Sequence, residues 1–333
     1  MRIPEDIQKL KRLLFSIDNE ATFEKIALQI FNFQAHHNNT YKKYLSLIKI
    51  DLQQVISIGS IPFLPIDFFR EEKVITNSSN HDLEFASSGT SGSVRSRHYV
   101  SDKSMYESSF QKGFELFYNK PAEYAILALL PSYLENKNSS LVYMMNQLIN
   151  ESGNPDSGFY LFNQDDLMQR IEKLIRMDSK FILVGVSFAL LELAEKFEFD
   201  FKNNIVMETG GMKGKRKEIV RDELHKILCE RFHLSCIHSE YGMTELLSQA
   251  YSKGNGQFQT PPWMKVLIRD LNDPFELIKE NKTGGINVID LANIDSCSFI
   301  ATQDLGKKNQ DGYFEVLGRF DNSELRGCNL MIQ

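Results

Sequence analysis

Apolar side chains recur at helical spacing near the start of the chain, which predicts helices over residues 3–47. The clearest apolar stripe consists of Phe23, Ile26, Ala27, Ile30 and Phe31. Residues 61–70, IPFLPIDFFR, form an apolar run broken by two prolines. Because proline opposes a helix interior and a central strand, we predict a packed, semi-rigid connector there.

The middle of the chain alternates between short apolar runs and longer amphipathic stretches. EKVIT and LEFAS, residues 72–76 and 83–87, predict two short strands. The predicted helices that follow are SDKSMYESSFQKGFELFYN (with Ser101 as its N-cap), LVYMMNQLINES, QDDLMQRIEKLIRMD, FALLELAEKF and KEIVRDELHKILCERF. The predicted strands between them are YAILALLP, GFYLF, KFILVGVS, NIVMETGG and CIHSEYG. This alternation predicts an α/β fold with a largely parallel sheet flanked by helices.

From residue 258 onward the apolar runs are shorter and are punctuated by glycine, as in TGGINVIDL and DGYFEVLGRFD. This pattern predicts a smaller antiparallel or barrel-like lobe. We therefore predict three segments. Residues 1–60 form a helical segment packed on the main domain, residues 61–257 an α/β core, and residues 258–333 a short β-rich lobe.

Composition narrows the class of protein. The 333 residues are 42% hydrophobic and 25% charged, with a net charge of −6, so there is no overall basic surface for nucleic acid. The basic cluster KGKRK at 213–217 is interpreted as a solvated turn. The four cysteines show no metal spacing, and no apolar run is long enough to span a bilayer. With no signal peptide at the N-terminus, we expect a cytoplasmic protein without a transmembrane segment.

The stretch SSGTSGS, residues 87–93, is the first candidate for chemistry. Its glycines allow a close backbone approach to a ligand, and its N–H and hydroxyl groups suit phosphate oxygens. The spacing is not that of a Walker loop. The alternative is a flexible Ser/Gly linker on the surface.

A second candidate, SEYGMTE, occupies residues 239–245 at a predicted strand end, where ligands of α/β sheets bind. Tyr241 is suited to stacking on a flat base, and Thr244 to bonding a phosphate oxygen. Glu245 is suited to Mg²⁺, a cation that prefers carboxylate and phosphate oxygens. The alternative is a helix cap followed by an acidic first turn.

A third candidate lies in the last strands, where Asp304 is an acceptor for ribose hydroxyls and Arg319 a fork-shaped donor to phosphate or ribose oxygens. The alternative is an ion pair on a surface hairpin, which contributes little to stability.

The ordered set SSGTSGS, YGMTE, DLG and DGYFEVLGRFD resembles the adenylate-forming superfamily, which joins a carboxylate to AMP at the expense of ATP with Mg²⁺. IPFLPIDFF, GGMKG and the terminal RGCN resemble one branch of it, the LuxE-like acyl-protein synthetases of bacterial luminescence. The resemblance covers residues 61 to 333. It implies the N-terminal domain fold of that superfamily and a core at 61–257 that binds nucleotide and acyl group.

The resemblance also implies roles for single residues. The β- and γ-phosphates would be held by Ser87, Ser88, Gly89, Thr90, Ser91 and Gly92. The adenine would lie against Gly210, Gly211 and Tyr241. Thr244 would contact the α-phosphate and Glu245 the Mg²⁺. Asp304 would accept from the ribose hydroxyls, and Arg319 would bond ribose or phosphate.

The sequence departs from the superfamily in two places. Val94-Arg95 and Arg97 stand where a Pro-Lys pair often follows the phosphate loop, and arginine still neutralises a triphosphate. The mobile C-terminal domain with its late catalytic lysine is expected to be absent, since the sequence ends at Gln333. Lys213 or Lys215 is a candidate for the missing cation because of its position next to the Gly210-Gly211 pair.

Cys328 in RGCN matches the cysteine to which the luminescence branch is said to pass its acyl group. A thiolate is a good acyl acceptor, and the neighbouring Arg326 favours it. The alternative is a buried structural cysteine.

The sequence therefore predicts an acid–thiol ligase that uses ATP and Mg²⁺ to activate a carboxylic acid, a fatty one according to the resemblance. The acyl group passes to Cys328 or to a thiol on a partner, and the expected protein partner is an acyl-donor or acyl-acceptor protein. Two alternatives stay open, namely an acyl- or aryl-CoA ligase and a non-catalytic nucleotide-binding or scaffold protein.

Overall fold

A computed structural model describes residues 5–76, 80–87, 94–131, 136–202, 204–210 and 219–319. The helices are α1 (Glu5–Leu13), α2 (Glu20–His37), α3 (Asn39–Leu47), α4 (Phe68–Glu71), α5 (Lys103–Tyr118), α6 (Ser140–Ser152), α7 (Gln164–Arg176), α8 (Ser187–Lys196) and α9 (Arg221–Phe232). The strands are β1 (Leu64–Pro65), β2 (Leu83–Ala86), β3 (Arg97–Val100), β4 (Ala125–Leu129), β5 (Gly158–Phe159), β6 (Phe181–Gly185), β7 (Ile205–Glu208), β8 (His238–Tyr241), β9 (Ala250–Ser252), β10 (Phe258–Gln259), β11 (Met264–Arg269), β12 (Gly284–Asp290), β13 (Phe299–Lys308) and β14 (Phe314–Arg319).

The chain divides into two compact units. The first unit comprises Met1–Glu84, Ser91–Met105 and Gln259–Gln333. The second unit comprises Phe85–Thr90 and Tyr106–Phe258. The division into segments at residues 60 and 257 stays a prediction.

The sheet of the second unit has the strand order β9-β8-β7-β6-β4-β5. Strands β5, β4, β6, β7 and β8 run parallel to their neighbours, and β9 alone is antiparallel, to β8. Strands β4 and β6 are buried along their whole length, which explains their continuous apolar sequences. The predicted largely parallel sheet flanked by helices is confirmed.

An apolar core joins this sheet to helices α7, α8 and α9. It includes side chains from β4, α7, β6, α8 and α9, among them Leu127, Ile171, Leu183, Leu190 and Leu228. Each of these five side chains is fully buried. The parallel strand ends that carry the candidate site therefore stand on a rigid, dry base.

The sheet of the first unit contains the antiparallel run β11-β12-β13-β14. The two-residue strand β1, inside the predicted connector, pairs in parallel with β13. Of the two alternatives for the C-terminal lobe, the antiparallel one is observed. Over the residues that the structure describes, these strands do not close into a barrel.

Helix α2 buries its predicted apolar stripe and one polar side chain in the first unit. Gln34 is fully buried, and its amide nitrogen donates to the carbonyl oxygens of Asn293 and Ile294, both at 3.0 Å. Its amide oxygen accepts from the backbone N–H of Ser298 at 3.0 Å. A buried amide is tolerated only when its hydrogen bonds are made, and Gln34 makes them with residues far along the chain.

The predicted strand at 72–76 was wrong. Only Thr76 forms an isolated bridge, to Asn38. Its backbone N–H donates to the Asp295 carbonyl at 2.7 Å, and its hydroxyl donates to the Ser296 carbonyl at 2.5 Å. Bonds to a distant segment therefore replace the ladder that a local strand would have formed.

The start of α5 also differs from the prediction. The helix begins at Lys103, and Asp102 Oδ1 accepts from the backbone N–H of Ser104 at 3.1 Å. Asp102 therefore acts as the cap in place of Ser101. None of the helices in the described ranges is long and apolar enough to cross a membrane.

Candidate functional site

The carboxyl ends of β7 and β8 carry several of the predicted site residues. The two strands are parallel neighbours, with Glu208 opposite Ser239. The segments that follow them therefore leave the same edge of the sheet. Gly210 lies two residues beyond Glu208, and Tyr241 lies two residues beyond Ser239. Gly210 and Tyr241 therefore lie at the same edge of the sheet in the second unit.

Gly210 adopts a conformation that favours glycine, with φ of +72°. Among the described residues other than its chain neighbours, a Cβ built on it would meet no atom within 4 Å. Its N–H donates to Glu208 Oε2 at 2.7 Å. The backbone angle therefore favours glycine at this position.

Glu208 was not predicted as a site residue, although it is the best-anchored side chain at this edge. It is 2% exposed, and Ser187 Oγ donates to its Oε2 at 3.2 Å. Arg221 Nε donates to Oε1 at 2.9 Å, and His225 Nε2 lies 3.7 Å from the same oxygen. Burial alone raises the pKa of Glu208, but His225, Arg221 and the Gly210 amide outweigh it and lower the pKa to about 2.

Lowering the pH is expected to reduce the free energy of unfolding because Glu208 becomes protonated. The pKa of this carboxyl is 4.5 ordinarily and about 2 when folded, so its stabilising contribution is complete above pH 4.5 and disappears as the pH falls to 2. The loss corresponds to about 3 kcal/mol in the free energy of unfolding. Urea unfolding between pH 6 and pH 2 measures it, and Glu208→Gln should flatten this part of the profile. The exposed Glu223→Gln is the matched control, and parallel profiles for wild type and Glu208→Gln would contradict the prediction.

Tyr241 is supported by a chain of contacts that starts at Glu208. The guanidinium of Arg221 lies 5.3 Å from the centre of the Phe258 ring, which meets the Tyr241 ring edge to face at 6.0 Å. Tyr241 is 8% exposed, so its ring is fixed by packing. A fixed aromatic ring is a ready platform for a flat ligand.

Thr244 and Glu245 lie in a turn between β8 and β9. The Leu246 N–H donates to the Met243 carbonyl at 3.1 Å and closes this turn. No helix begins in this described segment, so the alternative of a helix cap with a first-turn acid was wrong. Glu245 is 5% exposed. Downstream, Ser248 Oγ lies 2.9 Å from Ser109 Oγ of α5, which ties the segment to the second unit.

The predicted phosphate loop is described only at its first residue. Ser87 follows β2 and is partly buried. The other predicted site residues that lie outside the described ranges are Ser88, Gly89, Thr90, Ser91, Gly92, Gly211, Lys213 and Cys328.

Asp304 and Arg319 lie in the first unit, directly opposite each other on β13 and β14. Arg319 Nε donates to Asp304 Oδ1 at 3.1 Å, so the ion pair of the alternative interpretation is present. The Asp304 side chain is 7% exposed and that of Arg319 is 52% exposed. Nearby, burial lowers the pKa of Arg269 to about 10, and the charge of Asp304 opposes this shift. The ribose-binding roles of the pair stay predictions.

The predicted ligand for Mg²⁺ is Glu245. Across the described residues, no group of three or more His, Cys, Asp or Glu side chains is placed to hold a metal ion. Magnesium is commonly held by one or two carboxylates together with substrate phosphates, and Glu245 fits that pattern as a buried carboxylate at a strand end.

Comparison with solved structures defines the class of fold. ATP-bound MatB from Rhodopseudomonas palustris is 16% identical, with a TM-score of 0.53 over 73% of this chain and 49% of that chain. The chain thus spans about half the length of this structure. 2-Hydroxyisobutyryl-CoA ligase in the postadenylation state is 10% identical, with a TM-score of 0.67 over 97% of this chain and 73% of that chain. The fold is that of the adenylate-forming enzymes.

The sequence then identifies the family. The model of the LuxE acyl-protein synthetases matches residues 5–333, so the chain belongs to the LuxE acyl-protein synthetase family. The long-chain-fatty-acid–luciferin-component ligase of Vibrio harveyi is 21% identical over 324 residues, which cover 90% of this chain and 84% of that protein. The chain is therefore similar to a fatty acid ligase, and the resemblance seen in the motifs is confirmed.

Proposed function

We propose that this protein uses ATP to activate a carboxylic acid as an acyl-adenylate and then transfers the acyl group to a protein thiol. The observation that carries the proposal is the position of Tyr241, Thr244 and Glu245 at the carboxyl end of β8, next to Gly210, in a chain of the LuxE family. The Vibrio harveyi relative is named for a long-chain fatty acid, so a fatty acid is the proposed substrate.

In the first step, a carboxylate oxygen of the acid attacks the α-phosphorus of ATP. The bond from the α-phosphorus to the bridging oxygen breaks, and pyrophosphate leaves with the electron pair. Thr244 bonds an α-phosphate oxygen, and Ser87 begins the loop that holds the β- and γ-phosphates. Mg²⁺, when bound through Glu245, supplies positive charge next to the phosphate oxygens.

Separate groups are proposed for the adenine and for the ribose of the nucleoside. Tyr241 stacks on the adenine, and Gly210 with Gly211 allows the base to approach the backbone. Asp304 accepts from ribose hydroxyls, and Arg319 donates to a ribose or phosphate oxygen. Lys213 is proposed as the cation that balances charge on the leaving group.

In the second step, the thiolate of Cys328, or of a partner protein, attacks the acyl carbonyl carbon. The bond from that carbon to the AMP oxygen breaks, and AMP leaves as the thioester forms. The proton of the thiol is released before attack, since the thiolate is the nucleophile.

The proposal is tested by carboxylate-dependent ATP–pyrophosphate exchange with Mg²⁺, using matched series of saturated fatty acids and aromatic acids. Exchange with fatty acids is the expected result. No exchange with any acid, combined with ATP binding, would replace the proposal with a nucleotide-binding protein. Turnover that requires coenzyme A would replace the second step with thioester formation on that carrier.

A further inference from the structure

One face of the β8–β9 pair, on the opposite side from Tyr241, carries a polar cluster. Glu240 and Tyr251 are directly opposite partners in this antiparallel pair. Gln249 directly precedes β9. Glu240, Gln249 and Tyr251 are called the Glu240 cluster.

Gly242 shows how closely two members of the cluster meet. A Cβ built on Gly242 would lie 2.4 Å from Glu240 Oε1 and 3.4 Å from Gln249 Cγ. The Glu240 carboxyl therefore bends over Gly242 toward the Gln249 side chain. Any larger residue at this position would displace the carboxyl.

Two members of the cluster are buried without their hydrogen bonds. Tyr251 is 2% exposed and Gln249 is 5% exposed. In the part of the chain that the structure describes, Tyr251 Oη and Gln249 Oε1 have no hydrogen-bond partner. Buried polar atoms in native proteins are nearly always paired, so these two atoms call for a hydrogen-bonding group from outside the described residues. Glu240, the third member, is partly exposed when all its atoms are counted.

The walls of the cluster are aromatic. Tyr118 of α5 and Phe117 beside it pack on the Tyr251 ring, with centroids 5.3 and 5.1 Å apart. The Tyr118 hydroxyl pairs with His238 Nδ1 at 3.1 Å. Rings of this kind attract a cation placed over their faces.

The surroundings of Glu240 disfavour the negative charge of its carboxyl group. Burial, followed by repulsion from Glu208 of β7, raises the pKa of Glu240 to about 8. Tyr106 and Tyr118 of α5 and Tyr251 of β9 face it, and each has a raised pKa because of burial and of the Glu240 charge.

Two further groups on these strands do not supply a counter-charge. Burial and the charge of Lys253 lower the pKa of His238 to about 4, so that its ring is neutral at pH 7. The Lys253 ammonium lies 5.8 Å from the centre of the Tyr118 ring. A cation that bound at Glu240 would therefore supply a counter-charge that no group among the causes of this pKa shift provides.

We propose that the Glu240 cluster binds a protonated primary amine carried on the chain of the fatty acid substrate. An ammonium group has three N–H donors, and the cluster offers three acceptors, namely the Glu240 carboxylate, Gln249 Oε1 and Tyr251 Oη. The aromatic walls suit the same cation. The assignment of the amine to the acid rests on the proposed function, whereas the binding of an amine does not.

Amine binding would displace the proton of Glu240. At pH 7 a carboxyl with a pKa of about 8 is roughly 90% protonated, and an adjacent ammonium favours the ionised form. Binding should therefore release close to one proton at pH 7 and almost none at pH 9.5. Proton release is a readout that a purely structural role for Glu240 would not produce.

Calorimetry with hexylamine, 6-aminohexanoate, hexanoate and hexanol, in buffers of different ionisation enthalpy and without ATP, tests the proposal. We expect the two amines to bind with proton release. Glu240→Gln should abolish that release and weaken binding about tenfold or more, and Tyr251→Phe should weaken binding while keeping the release. The exposed Glu223→Gln serves as the matched control. Equal binding of hexanol and hexylamine, or unchanged proton release in Glu240→Gln, would overturn the proposal.

Pyrophosphate exchange separates this proposal from the proposed function. Amine binding without pyrophosphate exchange for any acid would support the amine site at the Glu240 cluster and contradict the proposed ligase activity. Pyrophosphate exchange with fatty acids but no binding of either amine would support the proposed ligase activity and contradict the amine site. Exchange with 6-aminohexanoate that is lost in Glu240→Gln is the result expected if both are right.

Discussion

Glu245→Gln is expected to lower carboxylate-dependent ATP–pyrophosphate exchange by about 100-fold or more, the range seen when one group that stabilises transition-state charge is removed. The substitution keeps the shape of the side chain and removes only its negative charge. Glu245 is 5% exposed in the turn after β8, so a neighbouring surface carboxylate has little access to replace it. A hard cation bound by an amide oxygen in place of a carboxylate is held more weakly.

The loss of pyrophosphate exchange should come from weakened adenylation and not from unfolding of the variant. Excess Mg²⁺ should restore part of the exchange, and the melting temperature of the variant should stay close to that of wild type. Glu223→Gln on the exposed first turn of α9 removes the same charge elsewhere and should exchange normally. Full exchange in Glu245→Gln would contradict the assignment, and a loss that accompanies a lower melting temperature would assign Glu245 a structural role.

Cys328→Ser is expected to keep pyrophosphate exchange and to abolish the acyl–protein thioester completely. Adenylation uses only the carboxylate and ATP, whereas transfer needs a thiolate, and a serine hydroxyl is hardly ionised at neutral pH. Intact-mass spectrometry after incubation with MgATP and a fatty acid measures the transfer. A thioester, unlike an amide, is removed by neutral hydroxylamine, which identifies the bond.

The other cysteines provide the controls. Cys297 is fully buried, and burial raises the pKa of its thiol to about 12, so it is a poor nucleophile. Burial also raises the pKa of Cys229. Cys236 is partly exposed, and Cys236→Ser should acylate like wild type. Acylation that persists in Cys328→Ser but disappears in Cys236→Ser would identify Cys236, two residues before β8, as the acyl acceptor.

The parallel sheet could be predicted because its signal is local. Strands buried on both faces have continuous apolar sequences, as in β4 and β6, and the helices between them have amphipathic ones. Helix ends at which the backbone takes a positive φ could also be predicted where a glycine stands. Gly153, for example, ends α6 with φ of +59°, a conformation that the sequence anticipates through glycine.

The parts that were missed depend on distant neighbours. Nothing local shows that Glu208 meets Arg221 and His225, or that Glu240 faces Tyr251 across two strands. The motif SEYGMTE drew attention to Tyr241, Thr244 and Glu245. The available signal for Glu240 was a charged residue inside a strand, which is rarely placed there without a partner or a ligand.

Helix α2 also determines when the first unit can finish folding during synthesis. Gln34 and its partner Ser298 are 264 residues apart. At typical translation rates of about 5–20 residues per second, roughly 13 to 50 s pass between the appearance of the two. Throughout this interval the apolar stripe of α2 has no C-terminal strands to pack against. A ribosome-bound nascent chain that ends before Ser298 should therefore recruit chaperones that recognise exposed apolar helices.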